Sequence, residues 1–126
     1  MKRLFALLTL ASASHAAPPE SFWRALHQVE TSGRTGAILG DNGKSLGPLQ
    51  ISRAYWQDAR VGGSYSQVTS IVYARRVATA YLQRYAPQAW AQGDVETLAR
   101  IHNGGPSGHR KSATLGYAEK VRRAMR

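Results

Sequence analysis

The stretch VETSGRTGAILGDNGKSLGPLQIS, Val29–Ser52, decides how the rest of the chain is read. Residues 33–50 carry five glycines and one proline, so this segment is irregular chain or a small hairpin turning at Asp41-Asn42-Gly43. Upstream, Glu20 and Ser21 open a helix whose Phe22, Leu26 and Val29 (more loosely Ala25) fall on one side. That helix should end near Ser32-Gly33, which puts Glu30 in its last turn, where helix dipoles favour cations rather than carboxylates. Glu30 and Asp41 are therefore either solvated surface charges or acids held there for chemistry.

Downstream the pattern is helical. Ser52 suits the N-cap of a helix through Tyr55, Trp56 and Ala59 that stops at Gly62-Gly63. Ser66–Tyr85 reads as the strongest helix, with Val68, Ile71, Val72, Ala78, Tyr81, Leu82 and Tyr85 on one stripe and Pro87 ending it. Asp94 caps a helix through Leu98 and Ile101 that breaks at Asn103-Gly104-Gly105-Pro106. A last helix, Thr114–Met125, gathers Arg and Lys toward its end, as the dipole prefers. The expectation is an α+β domain, predominantly α-helical, with a glycine-rich lobe inserted after the first helix.

The chain has 126 residues and a net charge of +10. Lys2 and Arg3, an apolar run from Leu4 to Ala11, and Ser14-His15-Ala16 follow the order of an export signal, giving residues 1–16 as a signal peptide and 17–126 as the domain. The alternatives are a buried N-terminal helix or a retained anchor. The apolar run falls short of the roughly 20 residues that span a bilayer. A secreted or periplasmic protein with no stable membrane insertion after cleavage is expected. The remaining 110 residues carry +8, which favours anionic partners such as nucleic acid, anionic membrane or bacterial wall. The absence of cysteine excludes disulfides, zinc–thiolate sites and cysteine nucleophiles. No metal or phosphate-loop motif is present, so no cofactor is expected.

Cleavage of a glycosidic bond needs a proton donor at the leaving oxygen and commonly a second carboxylate across the sugar. Glu30, after Val29 at a helix end, suits the donor, and Asp41, in a turn with exposed N–H groups, suits the ionised partner. Two acids eleven positions apart are not specific on spacing alone. More specific are Glu30-Thr31-Ser32-Gly33, Asp41-x-Gly43, Ser45-Leu46-x-Pro48-x-Gln50-Ile51 and Tyr55-Trp56-x-Asp58. Ala99-Arg100-Ile101-His102-Asn103-Gly104-Gly105-Pro106-x-Gly108 and Thr114-Leu115-Gly116-Tyr117 with Val121 follow in the same order. Together these resemble the invertebrate-type (destabilase-like) lysozymes, over most of Val29 to Val121.

The resemblance implies a lysozyme-like fold, with a groove for peptidoglycan glycan strands between a helical lobe and a small β-containing lobe. It implies Glu30 as general acid and Asp41 as the carboxylate that forms or stabilises the glycosyl intermediate. It further implies that Ser45, Gln50, Tyr55, His102, Asn103 and Gly104 lie along the groove. Three departures stand out. The family is usually dense in cysteine; Thr31 is an extra residue after Glu30; and the segment from Asp41 to Gly47 is about one residue shorter.

The expected activity is that of a monomeric muramidase. A lytic transglycosylase is the alternative, because Glu30-Thr31-Ser32 and Gly47-x-x-Gln50-Ile51 also resemble that family's Glu-Ser and Gly-x-x-Gln pattern. A non-catalytic cationic wall-binding or antimicrobial domain is the second. Nucleic-acid binding is not expected, since no basic helix is patterned to read a groove. His102 reads equally as a core histidine or a groove residue. Trp23, Trp56 and Trp90 read first as core anchors and second as sugar-stacking surfaces.

Overall fold

A computed structural model describes residues 17–126; the expected signal peptide, residues 1–16, lies outside the described residues. Helix α1, Glu20–Thr31, begins with an acid in its first turn and buries Phe22, Trp23, Ala25 and Leu26. It ends at Ser32, which takes the left-handed conformation (φ 57°) while its N–H reaches the Gln28 carbonyl and the Gly33 N–H reaches that of His27. Glu30 is thereby fixed one residue before the helix end. Thr31 is buried, and its hydroxyl donates to the Pro48 carbonyl at 2.9 Å. This bond fastens the end of α1 to the glycine-rich lobe, in a chain without disulfides.

That lobe is a three-stranded antiparallel sheet of very short strands, β1 Leu39–Gly40, β2 Ser45–Leu46 and β3 Ile51–Ser52, in the order β1-β2-β3. Leu39 pairs with Leu46 and Gly40 with Ser45; Ser45 then pairs with Ser52 and Leu46 with Ile51. The β1–β2 connection is the expected Asp41-Asn42-Gly43 turn, with all three residues at positive φ. Gln50 braces the hairpin from below: its Nε2 donates to the carbonyls of Ile38 (3.0 Å) and Gly47 (2.9 Å). A Cβ on Gly40 would meet the Gln50 Oε1 at 1.9 Å, so the strand carries no side chain where the brace passes.

Helix α2, Arg53–Ala59, starts at Ser52, whose hydroxyl accepts from the Tyr55 N–H. The expected single helix Ser66–Tyr85 is two elements: a 3₁₀ turn, Tyr65–Thr69, and α3, Ile71–Tyr85, separated by an extended Ser70 (φ −91°, ψ 132°). The stripe shifts accordingly. Tyr73, Ala74, Val77, Ala78, Tyr81 and Leu82 are buried, whereas Val72 is 72% exposed. The break has a tertiary cause, since the Thr69 carbonyl accepts from the Gly36 N–H and the Val68 backbone lies against Gly47. Pro87 ends α3 and also opens a short helix, α4 (Pro87–Gln92), as proline at a first helical position can.

Helix α5, Val95–Gly104, is capped by Asp94, which accepts from the Thr97 N–H. Two 3₁₀ turns, Gly108–Arg110 and Ser112–Thr114, lead into α6, Leu115–Ala124. Both α1 and α5 pack on α6. One apolar core built on Phe22, Leu26, Leu49, Ile51, Leu82, Leu98, Ile101 and Val121 joins the helices to the base of the sheet. The tryptophans belong to this packing. Trp23 meets Phe22 edge-on and lies 6.2 Å from Trp90, while Trp56 donates its Nε1–H to the Tyr73 hydroxyl.

Candidate active site

Glu30, Asp41, Ser45, Gln50, His102 and Asn103 line one cavity of about 380 Å³ between the end of α1, the hairpin and the end of α5. A second lobe of about 360 Å³ continues it past Ser52, Tyr55, Asp58 and Tyr81 to Gly105 and Pro106. The cleft thus gathers three carboxylates, Glu30, Asp41 and Asp58, in a chain with a net charge of +10. Asp41 and Ser45 reach it from the β1–β2 hairpin, and Gln50 from the turn before β3. Gly104 faces away, with its Cα against the Thr114 side chain and its carbonyl accepting from Lys111 Nζ at 2.7 Å. Its neighbours Gly105 and Pro106 line the cleft instead.

The Glu30 side chain is only 16% exposed. Its Oε2 accepts from the Tyr117 hydroxyl at 2.6 Å and lies 3.4 Å from His102 Nε2. His102 is both a buried histidine and a cleft residue, so the two sequence readings of it meet. Its Nε2 is 3.2 Å from the Leu49 carbonyl and its Nδ1 is 2.7 Å from the Tyr55 hydroxyl. A carbonyl only accepts, so in the neutral ring Nε2 carries the hydrogen and Nδ1 accepts from Tyr55. Tyr55 is in turn stacked on Tyr81, ring centroids 3.7 Å apart. The acid therefore sits at the end of a buried polar chain in which every hydrogen has an acceptor.

Burial, then the neighbouring Tyr81 and Glu30, holds the Tyr55 hydroxyl well above the usual phenol range. Burial and Glu30 do the same for Tyr117. Desolvation, then Asp58 and Tyr85, pushes Tyr81 up to about 12. Both hydroxyls facing the acid and its histidine thus remain donors. Unfolded tyrosine ionises near pH 10, and the folded protein holds these protons more tightly. The stability they contribute is complete below about pH 10 and is lost as the pH rises through the higher folded values. In an ultraviolet titration, Tyr55 and Tyr117 should ionise only as near-ultraviolet dichroism collapses. Ionisation of all six tyrosines near pH 10 with the fold intact would contradict this assignment.

No family model matches the chain. Among curated proteins it is similar to Lysozyme 1 of Crassostrea virginica, 40% identical over 101 residues, covering 78% of this chain and 55% of that protein. It is also similar to Invertebrate-type lysozyme 6 of Caenorhabditis elegans, 38% identical over 85 residues, covering 58% of this chain and 62% of that one. The chain thus spans about three fifths of these curated relatives' length. Among solved structures it superimposes on the inhibitor-bound lysozyme from Meretrix lusoria with a TM-score of 0.73 at 31% identity, over 86% of this chain and 92% of that one.

The chain belongs to the invertebrate-type lysozyme family.

The lysozyme of Tapes japonica superimposes similarly, with a TM-score of 0.72 at 27% identity over 86% and 92% of the two chains. As a member of the invertebrate-type lysozymes, the chain has the α+β, lysozyme-like fold anticipated from its sequence, with a helical lobe and a small sheet lobe. Tyr117 stands in the quoted motif and reads as a core anchor or a sugar-stacking surface; what was not anticipated is its bond to the acid. Its partner Glu30 lies 87 positions away, and no local spacing links them. Asp58, Ser52 and Tyr81 were likewise not anticipated as cleft residues. Among the described residues no three His, Cys, Asp or Glu side chains are grouped as a metal site.

Proposed function

We propose that the protein is an exported muramidase that hydrolyses the β-1,4 bond between N-acetylmuramic acid and N-acetylglucosamine in peptidoglycan. The observation that carries this reading is the half-enclosed Glu30, opposite the hairpin bearing Asp41, in a single cleft. Glu30 delivers its proton to the glycosidic oxygen as the bond to the anomeric carbon breaks. Asp41 forms or stabilises the resulting glycosyl intermediate from the hairpin side. Water then attacks that carbon, and Glu30 takes back a proton from it. Ser45, Gln50, Tyr55, His102, Asn103 and Gly104 are assigned to glycan binding. Tyr55 lines the cleft and also acts through His102, whereas Gly104 acts only through the neighbouring Gly105 and Pro106.

The surrounding charge fits an anionic wall: the positive field draws the protein to the polymer while the cleft itself stays acidic. Export rests on the basic, apolar, small order of residues 1–16. Among the described residues no helix is long and apolar enough to cross a membrane.

Digestion of purified peptidoglycan, with the products weighed by mass spectrometry, tests the reading. Reducing muropeptides one water heavier than the anhydro forms are expected from the wild type. Asp41→Asn should lower the rate by roughly a hundredfold or more, the usual scale for losing a charge that stabilises the transition state. Anhydro-muropeptides as the main product, with Asp41→Asn fully active, would replace the hydrolase by a lytic transglycosylase that uses Glu30 alone.

A further inference from the structure

We propose that Tyr117 is a positioning residue that, together with His102, reserves one oxygen of Glu30 for proton transfer: Oε2 is held and Oε1 carries the catalytic proton. The inference rests on the reading of Glu30 as the general acid, and adds to it which carboxyl oxygen acts and what orients it.

One oxygen of the acid is already engaged. The Tyr117 hydroxyl donates to Oε2 at 2.6 Å, and the His102 ring, whose Nε2–H donates to the Leu49 carbonyl at 3.2 Å, stands 3.4 Å from the same oxygen. A protonated carboxyl has one oxygen that accepts and one that donates. Placing the proton on Oε2 would set it against the Tyr117 hydrogen and break that bond, so the acid form carries it on Oε1. After transfer, the negative charge on the carboxylate is met at Oε2 by the Tyr117 bond already in place, with no reorganisation at the moment of reaction.

The holders are themselves held. Burial and the neighbouring carboxylate keep the Tyr117 phenol protonated, so it donates throughout the cycle. The Leu49 carbonyl and the Tyr55 hydroxyl set the tautomer of His102. Tyr117 stands in the first turn of α6, the helix on which both α1 and α5 pack, so the element that bears the acid and the one that bears the histidine share one support. This is also how a cysteine-free chain keeps the carboxyl orientation: Glu30 is tied by a hydrogen bond from α6, with the α5 histidine beside it, rather than by disulfides.

The test compares wild type, Tyr117→Phe, the protein with 3-fluorotyrosine at position 117, and Glu30→Gln on soluble peptidoglycan glycan fragments, each first checked for folding by dichroism. Tyr117→Phe should lower kcat roughly tenfold or more, as expected for one hydrogen bond to a charged group, with KM within about twofold. The fluorinated residue keeps the hydroxyl and should restore most of kcat. A folded Tyr117→Phe with wild-type kcat, a loss confined to KM, or a loss that 3-fluorotyrosine fails to restore would each overturn the proposal. If Glu30→Gln is inactive while Tyr117→Phe is not impaired, only the positioning role falls. If Glu30→Gln itself remains active, the assignment of the acid falls and this inference with it.

Discussion

Glu30→Gln is expected to remove at least two to four orders of magnitude from kcat/KM on peptidoglycan, roughly the range that a positioned general acid contributes. The substitution changes the chemistry and little else. An amide has the shape of the carboxyl, and its oxygen can still accept from the Tyr117 hydroxyl and face His102 Nε2, which leaves the –NH₂ in the place assigned to the proton-bearing oxygen. That group cannot protonate a leaving oxygen near neutral pH. The 16% exposure of the side chain leaves the amide a route to solvent hydrogen bonds, so the thermal midpoint should move by only a few degrees. Turbidity loss of a wall suspension measures the first quantity and dichroism against temperature the second. Wild-type wall clearing by Glu30→Gln would leave the cationic, non-catalytic binder as the better reading, since such a domain does not use this acid.

The elements legible from sequence are those set by local chemistry. The end of α1 follows from Ser32-Gly33, the β1–β2 turn from Asp41-Asn42-Gly43, and the starts of α2 and α5 from Ser52 and Asp94, each of which accepts from an N–H three residues on. The places of Glu30 and Asp41 beside these markers were legible for the same reason, whereas the roles proposed for them came from the motif resemblance. What was not readable depends on distant backbone. Val68 fits a helical stripe with Ile71, and nothing nearby forces Ser70 open; the break follows from the Gly36 N–H donating to the Thr69 carbonyl and from the close approach of the Val68 backbone to Gly47. Val72 was misplaced onto the core face because that break rotates α3 relative to the turn before it. Gly104 was assigned to the groove as part of the His102-Asn103-Gly104 run, yet a helix turns successive residues by about 100°, so neighbours face different ways. His102 and Asn103 reach the cleft while Gly104 meets Thr114. Tyr117 illustrates the same limit at the site itself, since its meaning comes from α6 crossing α1.

Gly47→Ala is expected to be the most damaging single-methyl change in the glycine-rich lobe, and Gly43→Ala is its control. Both glycines are left-handed, with φ of 84° and 83°. An alanine at either position bears about 1–2 kcal/mol for that conformation alone. The surroundings differ. A Cβ at Gly43 would meet nothing within 4 Å, whereas at Gly47 it would lie 2.1 Å from the Val68 carbonyl oxygen and 3.2 Å from the Thr69 Cα. Those atoms are backbone and cannot swing away, so the turn or the 3₁₀ segment must move, and overpacking of this kind adds about 1–3 kcal/mol. The total for Gly47→Ala is about 2–5 kcal/mol, against about 1–2 for Gly43→Ala. In a domain of this size the larger loss lowers the thermal midpoint by roughly 10–25 °C. Function should follow stability here. The Gly47 carbonyl accepts from Gln50 Nε2, and its N–H donates to the Ile38 carbonyl, so a displaced Gly47 loosens the brace that holds the Asp41 hairpin across from Glu30. Chemical denaturation of the two variants, with wall clearing measured well below the midpoint, separates these effects. Equal stabilities for Gly47→Ala and Gly43→Ala would mean that the contact with Val68 does not constrain the lobe, and that the position of Asp41 is set elsewhere.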